Sequence, residues 1–475
     1  MADYLRNLIL NADSYKASHF LQYPPKTTRV SSYIESRGGK WDRSLFFGLQ
    51  MALLEYLSKP ITKKDVDDAE EFWKGHGLPF NRQGWEHILK KHKGFLPLKI
   101  EAVEEGSVVP NRNALLQVEN TDPECYWLTS YVETILMRAV WYPTTVATNG
   151  FFCKKEILES LRRTSENADA VVGFKLHDFG FRGASSLESA AIGDCAHLVN
   201  FLGTDTVAGV LAAREYYGEK MAGFSIPAAE HSTMTAWGGA HGEQAAYSNM
   251  LDQFAKQGKT VAVVSDSFDI YNACSVLWGE KLRERVEKSG ATIVIRPDSG
   301  KPEEVVPKVV ELLMEKFGFA VNSKGFKVLP SCIRVIQGDG INYESIKRIL
   351  AAMERRLLST ENIAFGMGGG LLQDFNRDTL CFAMKASAIE IDGKWRDVSK
   401  SPVGDAGKHS KKGRLALVRD AKGKYCTIRK EDLAAGQENL LKVVFENGKA
   451  THKQTFAQIR KRAGEGLEEV LCGRK

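Results

Sequence analysis

The chain has 475 residues, 43% hydrophobic and 26% charged, with a net charge of +6 from 65 basic and 59 acidic side chains. Such a length supports two or three domains with a sizeable core, and the balance excludes a disordered or membrane-embedded chain. The basic excess suits phosphorylated small molecules but is too small and too dispersed to point to nucleic acid.

The first apolar stretch is interrupted by Arg6, Asn7 and Asn11, which does not make a secretory signal. Eight scattered cysteines without a C-x-x-C pair argue against a zinc site or a disulfide framework, and a cytoplasmic protein is expected. Residues 1–149 mix a β-like run at 28–34 with helical runs at 47–57 and 123–140. Residues 376–475 alternate at 413–419 and 425–429 and then turn charged and helix-like.

Residues 150–375 hold seven short apolar runs: GFKLHDFG, LVNFLGTD, GFSIPAAEH, VAVVSDS, TIVIRPDSG, IRVIQGDG and NIAFGMGGG. Their polar ends fall at Asp178, Asp205, His231, Asp266, Asp298, Asp339 and Gly368, between 26 and 41 residues apart by subtraction. Each interval holds a strand, a helix and two loops. Amphipathic stretches at 206–217, 302–317 and 342–355 supply the helices. Repeated strand and helix imply parallel pairing with right-handed crossovers, and six or seven repeats fit an α/β barrel better than a doubly wound sheet. Strand ends in such folds carry function. A single Asp there is commonly a helix N-cap, but seven polar ends in series form a rim suited to Mg²⁺ and a phosphorylated sugar.

The rim residues have plain readings beside functional ones. GMGGG at 366–370 is either a tight turn or a phosphate nest of backbone amides. Arg296 and Asp298 are either a structural ion pair or a cation for phosphate beside a carboxylate for ribose or metal. Phe179 is core packing or a ring that stacks on a flat heterocycle. His231 is a hydrogen-bonded structural residue, or a base or phosphoryl acceptor on the rim. The basic stretch 408–414 is a solvated loop or a lid. No P-loop and no G-x-G-x-x-G register is present.

Taken in order, DSYKASH, QYPP, ENTDPECYWLTSYVETIL, KLHDFGFRGASS, GTDTVAG, PAAEHST, VVSDSFDIYNAC, IRPDSG, RVIQGDG, ENIAFGMGGGLLQ and SKKGRL closely resemble the nicotinamide phosphoribosyltransferases over nearly the whole chain. The resemblance implies a type II phosphoribosyltransferase: an α/β barrel (150–375) beside a discontinuous β-rich domain formed by both chain ends (1–149 and 376–475). It implies the joining of nicotinamide to 5-phosphoribosyl-1-pyrophosphate (PRPP), with Mg²⁺ as cofactor and ATP as co-substrate. A homodimer with shared active sites is expected, without nucleic acid or membrane partners. A nicotinate phosphoribosyltransferase is the alternative.

By matching motif, Phe179 and the partner subunit's Tyr15 would sandwich the pyridine ring, with Asp13 beside Tyr15 in the substrate site. Asp205 would accept from the carboxamide, and Arg182, Arg296 and Asp298 would face the base and ribose. Asp266 and Asp339 would hold Mg²⁺ and pyrophosphate, Asp266 and Asp298 also serving catalysis. Gly338, Asp339, Gly368, Gly369, Arg37, Arg377, Lys385 and Lys400 would bind phosphate. His231 would be the histidine phosphorylated by ATP. Ala262 and Ala383 stand where vertebrate members carry serines.

Overall fold

In the computed structural model, which describes residues 6–400 and 409–473, strand and helix alternate through the central region. Pro302–Phe317 shows how the sequence writes a helix. Pro302 stands at its first position, Glu303 and Glu304 lie in its first turn, and Val305, Val309 and Leu313 are buried along one face. Gly318 ends it at φ +80°, a conformation strained for any side chain. Tyr343–Arg355 starts at Asn342, whose side chain accepts from the Glu344 and Ser345 amides at 3.0 Å. It buries Ile346, Ile349, Leu350 and Met353, each worth about 1.5–3 kcal/mol as area removed from water.

Six parallel strands run in the order 203–204, 176–178, 363–367, 333–337, 292–296 and 260–264. The segment 224–228 links the two edges: Phe224 bridges to Gly203 and Ala228 to Ala262, both parallel. Seven chain segments therefore close the ring, one for each apolar run in the sequence. The third run is not a regular strand, because Pro227 has no N–H to donate and the pairing reduces to isolated bridges. Ala262, Val294 and Ile336 form an apolar cluster inside, with Phe179, Ile226 and Ala364 packed against it.

The barrel belongs to one of two units, comprising Asn149–Arg214 and Lys220–Asp374. The other comprises Met1–Thr148, Glu215–Glu219 and Phe375–Lys475. Its seven-stranded antiparallel sheet runs 394–397, 382–391, 27–36, 114–120, 98–102, 442–446 and 449–450. Thr27–Ser36 pairs with Phe382–Ile391 on one side and Ala114–Asn120 on the other, so both chain ends build one sheet.

Residues 215–219 join this unit because Gln50 Nε2 donates to the Tyr216 carbonyl at 2.7 Å and the Tyr217 hydroxyl donates to buried Glu105 at 2.8 Å. No sequence pattern marks that. The helix expected at 47–57 is one α turn, Leu49–Ala52, followed by a π turn, Leu53–Leu57. The one expected at 123–140 splits into Pro123–Cys125, Leu128–Tyr131 and a long helix, Glu133–Thr164. Of the basic stretch 408–414, Lys408 lies outside the described residues. Lys411 pairs with Glu35 at 2.7 Å and its amide donates to the Tyr33 hydroxyl, so this lysine holds the sheet. Among the described residues no helix is long and apolar enough to cross a membrane.

The first barrel strand begins beside Lys175, a buried lysine whose Nζ donates to the carbonyls of Glu361 and Ile363 at 2.7 and 3.1 Å. Burial, reinforced by the charge of Arg334 and opposed by Glu361, lowers its pKa from 10.5 to about 7. Between those values the unfolded chain binds the extra proton, so the lysine makes stability rise with pH from about 7 to 10.5 and level off above. Lys175→Met should flatten that slope in denaturant titrations across this range. A variant curve parallel to the wild type would refute the assignment.

Candidate active site

Strand alternation sets the barrel mouth. In Leu176–Asp178 and the residue after it, His177 and Phe179 share one side, and Asp178 points the other way. Phe179 packs against the internal Ala262, Val294 and Ile336, with its amide bonded to the Met367 carbonyl at 2.9 Å. Its ring lies over two glycines. A Cβ at Gly366 would stand 2.0 Å from Phe179 Cε2, and one at Gly338 would stand 3.2 Å from it. Phe179, Phe181, Arg182, Asp205 and Arg296 line a cavity of about 180 Å³.

Asp205 Oδ1 accepts from the Ser225 hydroxyl and lies 3.1 Å from His177 Nε2. Burial pushes its pKa up, but His177, Ser225 and the charge of Arg296 outweigh that, and the group sits below the usual carboxylate range. The cavity thus presents an ionised acceptor beside an aromatic face. Asp178, a rim marker in the sequence, is fully buried instead. Its Oδ1 accepts from the Gly180 amide at 2.6 Å, and its Oδ2 is buried without a hydrogen-bond partner. Burial raises the carboxyls of both Asp178 and Asp194, and the charge of Asp178 raises Asp194 further.

A second cluster gathers at the ends of the strands 260–264 and 292–296. Asp266 Oδ2 accepts from the Asp298 amide at 2.8 Å and the Ser299 hydroxyl at 2.6 Å. His231 Nε2 lies 3.7 Å from Asp266 Oδ1 and 3.6 Å from Asp298 Oδ2, while Nδ1 is 3.0 Å from the Ser267 hydroxyl. The imidazole side chain is 47% exposed and within reach of a ligand. Arg296 Nη2 lies 3.8 Å from Asp298 Oδ2, and its buried Nε has no hydrogen-bond partner.

Asp266 Oδ1 is likewise buried without a hydrogen-bond partner. Mg²⁺ commonly takes one or two protein carboxylates and completes its shell with water and substrate phosphate, so an open oxygen here, with exposed Asp339 at the end of the strand beyond 292–296, fits that ion. Gly368 opens the turn Gly369–Leu372, and no side chain crowds either glycine closely.

The remaining expected residues lie in the other unit. Arg37 Nε donates to Glu35 at 2.8 Å, and its buried Nη2 has no hydrogen-bond partner. Lys385 lies opposite Tyr33, four residues from Arg37 along the adjoining strand. Burial lowers its pKa, and the charges of Arg37, Lys400 and Arg377 lower it further, against the pull of Glu133. Lys385 therefore feels the other three cations expected to bind phosphate in this unit. Tyr15 is exposed, edge-on to His19 at 4.9 Å. Asp13 is tied to Thr134, whose hydroxyl accepts from its amide at 3.0 Å and donates to its Oδ2 at 2.7 Å.

The sequence reading missed His177, Ser225, Ser267 and Ser299, which hold Asp205, His231 and Asp266, and Asp194 behind Asp178. His177 was legible, standing two residues before Phe179 on the same strand face. Ser225 was not, because it lies in the segment 224–228, which joins the sheet only through isolated bridges.

The profile of the nicotinate phosphoribosyltransferase (NAPRTase) family matches residues 174–449, and that of the nicotinamide phosphoribosyltransferase N-terminal domain matches 7–100. A nicotinamide phosphoribosyltransferase of Xanthomonas campestris pv. campestris (strain 8004) is 52% identical over 464 residues, covering 97% of this chain and 98% of that protein. One from Acinetobacter baylyi (strain ATCC 33305 / BD413 / ADP1) is 32% identical over 497 aligned positions, covering 97% of each. In fold, the chain is similar to nicotinate-nucleotide pyrophosphorylase from Pyrococcus furiosus (TM-score 0.63, 16% identity, 99% of this chain and 97% of that one). It is also similar to human nicotinic acid phosphoribosyltransferase (TM-score 0.55, 18% identity, 96% and 93%). The chain belongs to the nicotinamide phosphoribosyltransferases, within the nicotinate phosphoribosyltransferase family.

Proposed function

We propose that the chain transfers the phosphoribosyl group of PRPP to nicotinamide, giving nicotinamide mononucleotide and pyrophosphate in NAD salvage. The observation that carries this reading is Asp205, held ionised in the cavity beside Phe179. A carboxamide NH₂ donates to that acceptor, whereas a nicotinate carboxylate would meet like charge. Phe179 stacks on the pyridine and aims its ring nitrogen at the anomeric carbon, and Tyr15 of the partner subunit covers the other face. The C–N bond forms as the bond to pyrophosphate breaks, through an oxocarbenium-like state that the carboxylates of Asp298 and Asp266 offset.

Arg296 and Arg182 of the barrel unit, with Arg37, Arg377, Lys385 and Lys400 donated in part by a second subunit, neutralise phosphate. The orphan nitrogens of Arg296 and Arg37 support this role, since a buried guanidinium N–H without a partner is costly unless an anion binds it. Gly338, Gly368 and Gly369 let backbone approach the phosphates. Asp266 and Asp339 would hold Mg²⁺, which supplies charge neutralisation for pyrophosphate when bound.

His231 accepts the γ-phosphoryl group of ATP in this reading. An N–P bond forms on the imidazole, ADP leaves, and the ring proton passes to solvent or to Asp266 or Asp298, whose oxygens are the carboxylates nearest Nε2.

With PRPP and Mg²⁺, purified protein should consume nicotinamide faster than nicotinate, and Asp205→Asn should cut kcat/KM for nicotinamide roughly tenfold or more. Faster turnover of nicotinate would overturn the amide assignment. Gly366→Ala, which puts a methyl where the Phe179 ring lies, should raise KM for nicotinamide about tenfold, and an unchanged KM would remove Phe179 from base binding. Incubation with γ-labelled ATP should give an acid-labile, base-stable label that His231→Ala abolishes, and label persisting in that variant would rule His231 out.

A further inference from the structure

Away from the barrel, the unit holding the antiparallel sheet contains the one group of three metal-ligating side chains that converges among the described residues: His87, His92 and Asp122. Both histidines lie on the helix Arg82–His92, and Asp122 caps the turn Pro123–Cys125. The Asp122 carboxylate is fixed before any ion arrives. Its Oδ1 accepts from the Glu124 amide at 3.0 Å, and its backbone carbonyl accepts from Asn120 Nδ2 at 2.8 Å. That leaves Oδ2, which meets His87 Nε2 at 2.9 Å and His92 Nε2 at 2.6 Å. The carboxylate is nearly sealed from solvent while both imidazoles are partly open, so an ion can reach the nitrogens.

We propose that these three residues bind a divalent transition metal of the Zn²⁺ class, with water in the fourth position. Two converging imidazoles and one carboxylate are a donor set that suits such an ion, and all three donor atoms lie within 4.8 Å of one another. Lys91 is the built-in competitor. Its Nζ lies 3.0 Å from the same Asp122 Oδ2, on a side chain that is more than half exposed. In the metal-free chain the ammonium supplies the positive charge at this oxygen. Metal binding displaces it into solvent, and each ligating Nε2 gives up its proton to Nδ1 or to water. The bound ion would pin the end of the helix to the turn after the strand Ala114–Asn120. None of these residues takes part in the proposed phosphoribosyl transfer, so the two readings stand or fall separately.

Full-length protein stripped with chelator and titrated with Zn²⁺, without PRPP or nucleotide, should bind one equivalent that is lost in a His87→Gln/His92→Gln double variant and in Asp122→Asn. Lys91→Ala, on the helix surface, should bind Zn²⁺ more tightly, which keeps the test open if the other variants unfold. Co²⁺ in place of Zn²⁺ should give tetrahedral d–d bands without a thiolate charge-transfer band. Equal Zn²⁺ stoichiometry in the wild type and the double variant would overturn the proposal. So would unchanged or weaker affinity in Lys91→Ala, or a thiolate band, which would place the metal on exposed Cys426 or Cys472.

Discussion

The mouth of the barrel depends on space that two glycines leave empty. The strand Ile363–Met367 runs beside Leu176–Asp178, and the ring of Phe179 falls across the backbone at Gly366. Any side chain there would occupy the ring itself. With the ring seated, its lower face packs on Ala262, Val294 and Ile336, and the cavity beside it is lined by Asp205, Arg182 and Arg296. The site is thus a consequence of barrel packing rather than an addition to it. Ala262, where vertebrate members carry a serine, keeps that wall apolar.

Electrostatics divides the carboxylates into two kinds. Asp205 receives donors from His177 and Ser225 and the field of Arg296, and these overcome its partial burial. Asp178 and Asp194, sealed behind the strand, are raised by burial, and Asp194 further by the charge of Asp178. At Asp266 one oxygen is satisfied by backbone and hydroxyl donors and the other is left open. Within the barrel unit, the orphan Nε of Arg296 is its positive counterpart. Buried polar groups are normally paired, so an open oxygen and an open N–H at the barrel mouth support the charged ligands proposed for it.

Much of the barrel was legible because its signals are local. Six of the seven apolar runs are strands, and the helices 302–317 and 343–355 follow from spacing, caps and breakers. Where the reading slipped, a nonlocal cause is visible. The run containing Pro227 pairs only through bridges, and residues 215–219 leave the barrel unit because Gln50 and Glu105 bind them. Asp178 looked like its fellow strand-end acids, yet alternation turns it away from Phe179.

The sequence by itself determined which residues alternate, which cap and which break, and the order of its motifs determined the family. Those are properties of neighbours along the chain, set by backbone geometry and side-chain chemistry. Only the tertiary structure decided which acid is held below the usual carboxylate range, which is pushed above it and which oxygen is left open. Protonation depends on burial and on charges brought from other strands, and the partners of Asp205, Asp266 and Asp178 lie 20, 33 and 16 residues away at Ser225, Ser299 and Asp194. No pattern of spacing carries that information, because it comes into being when the ring closes.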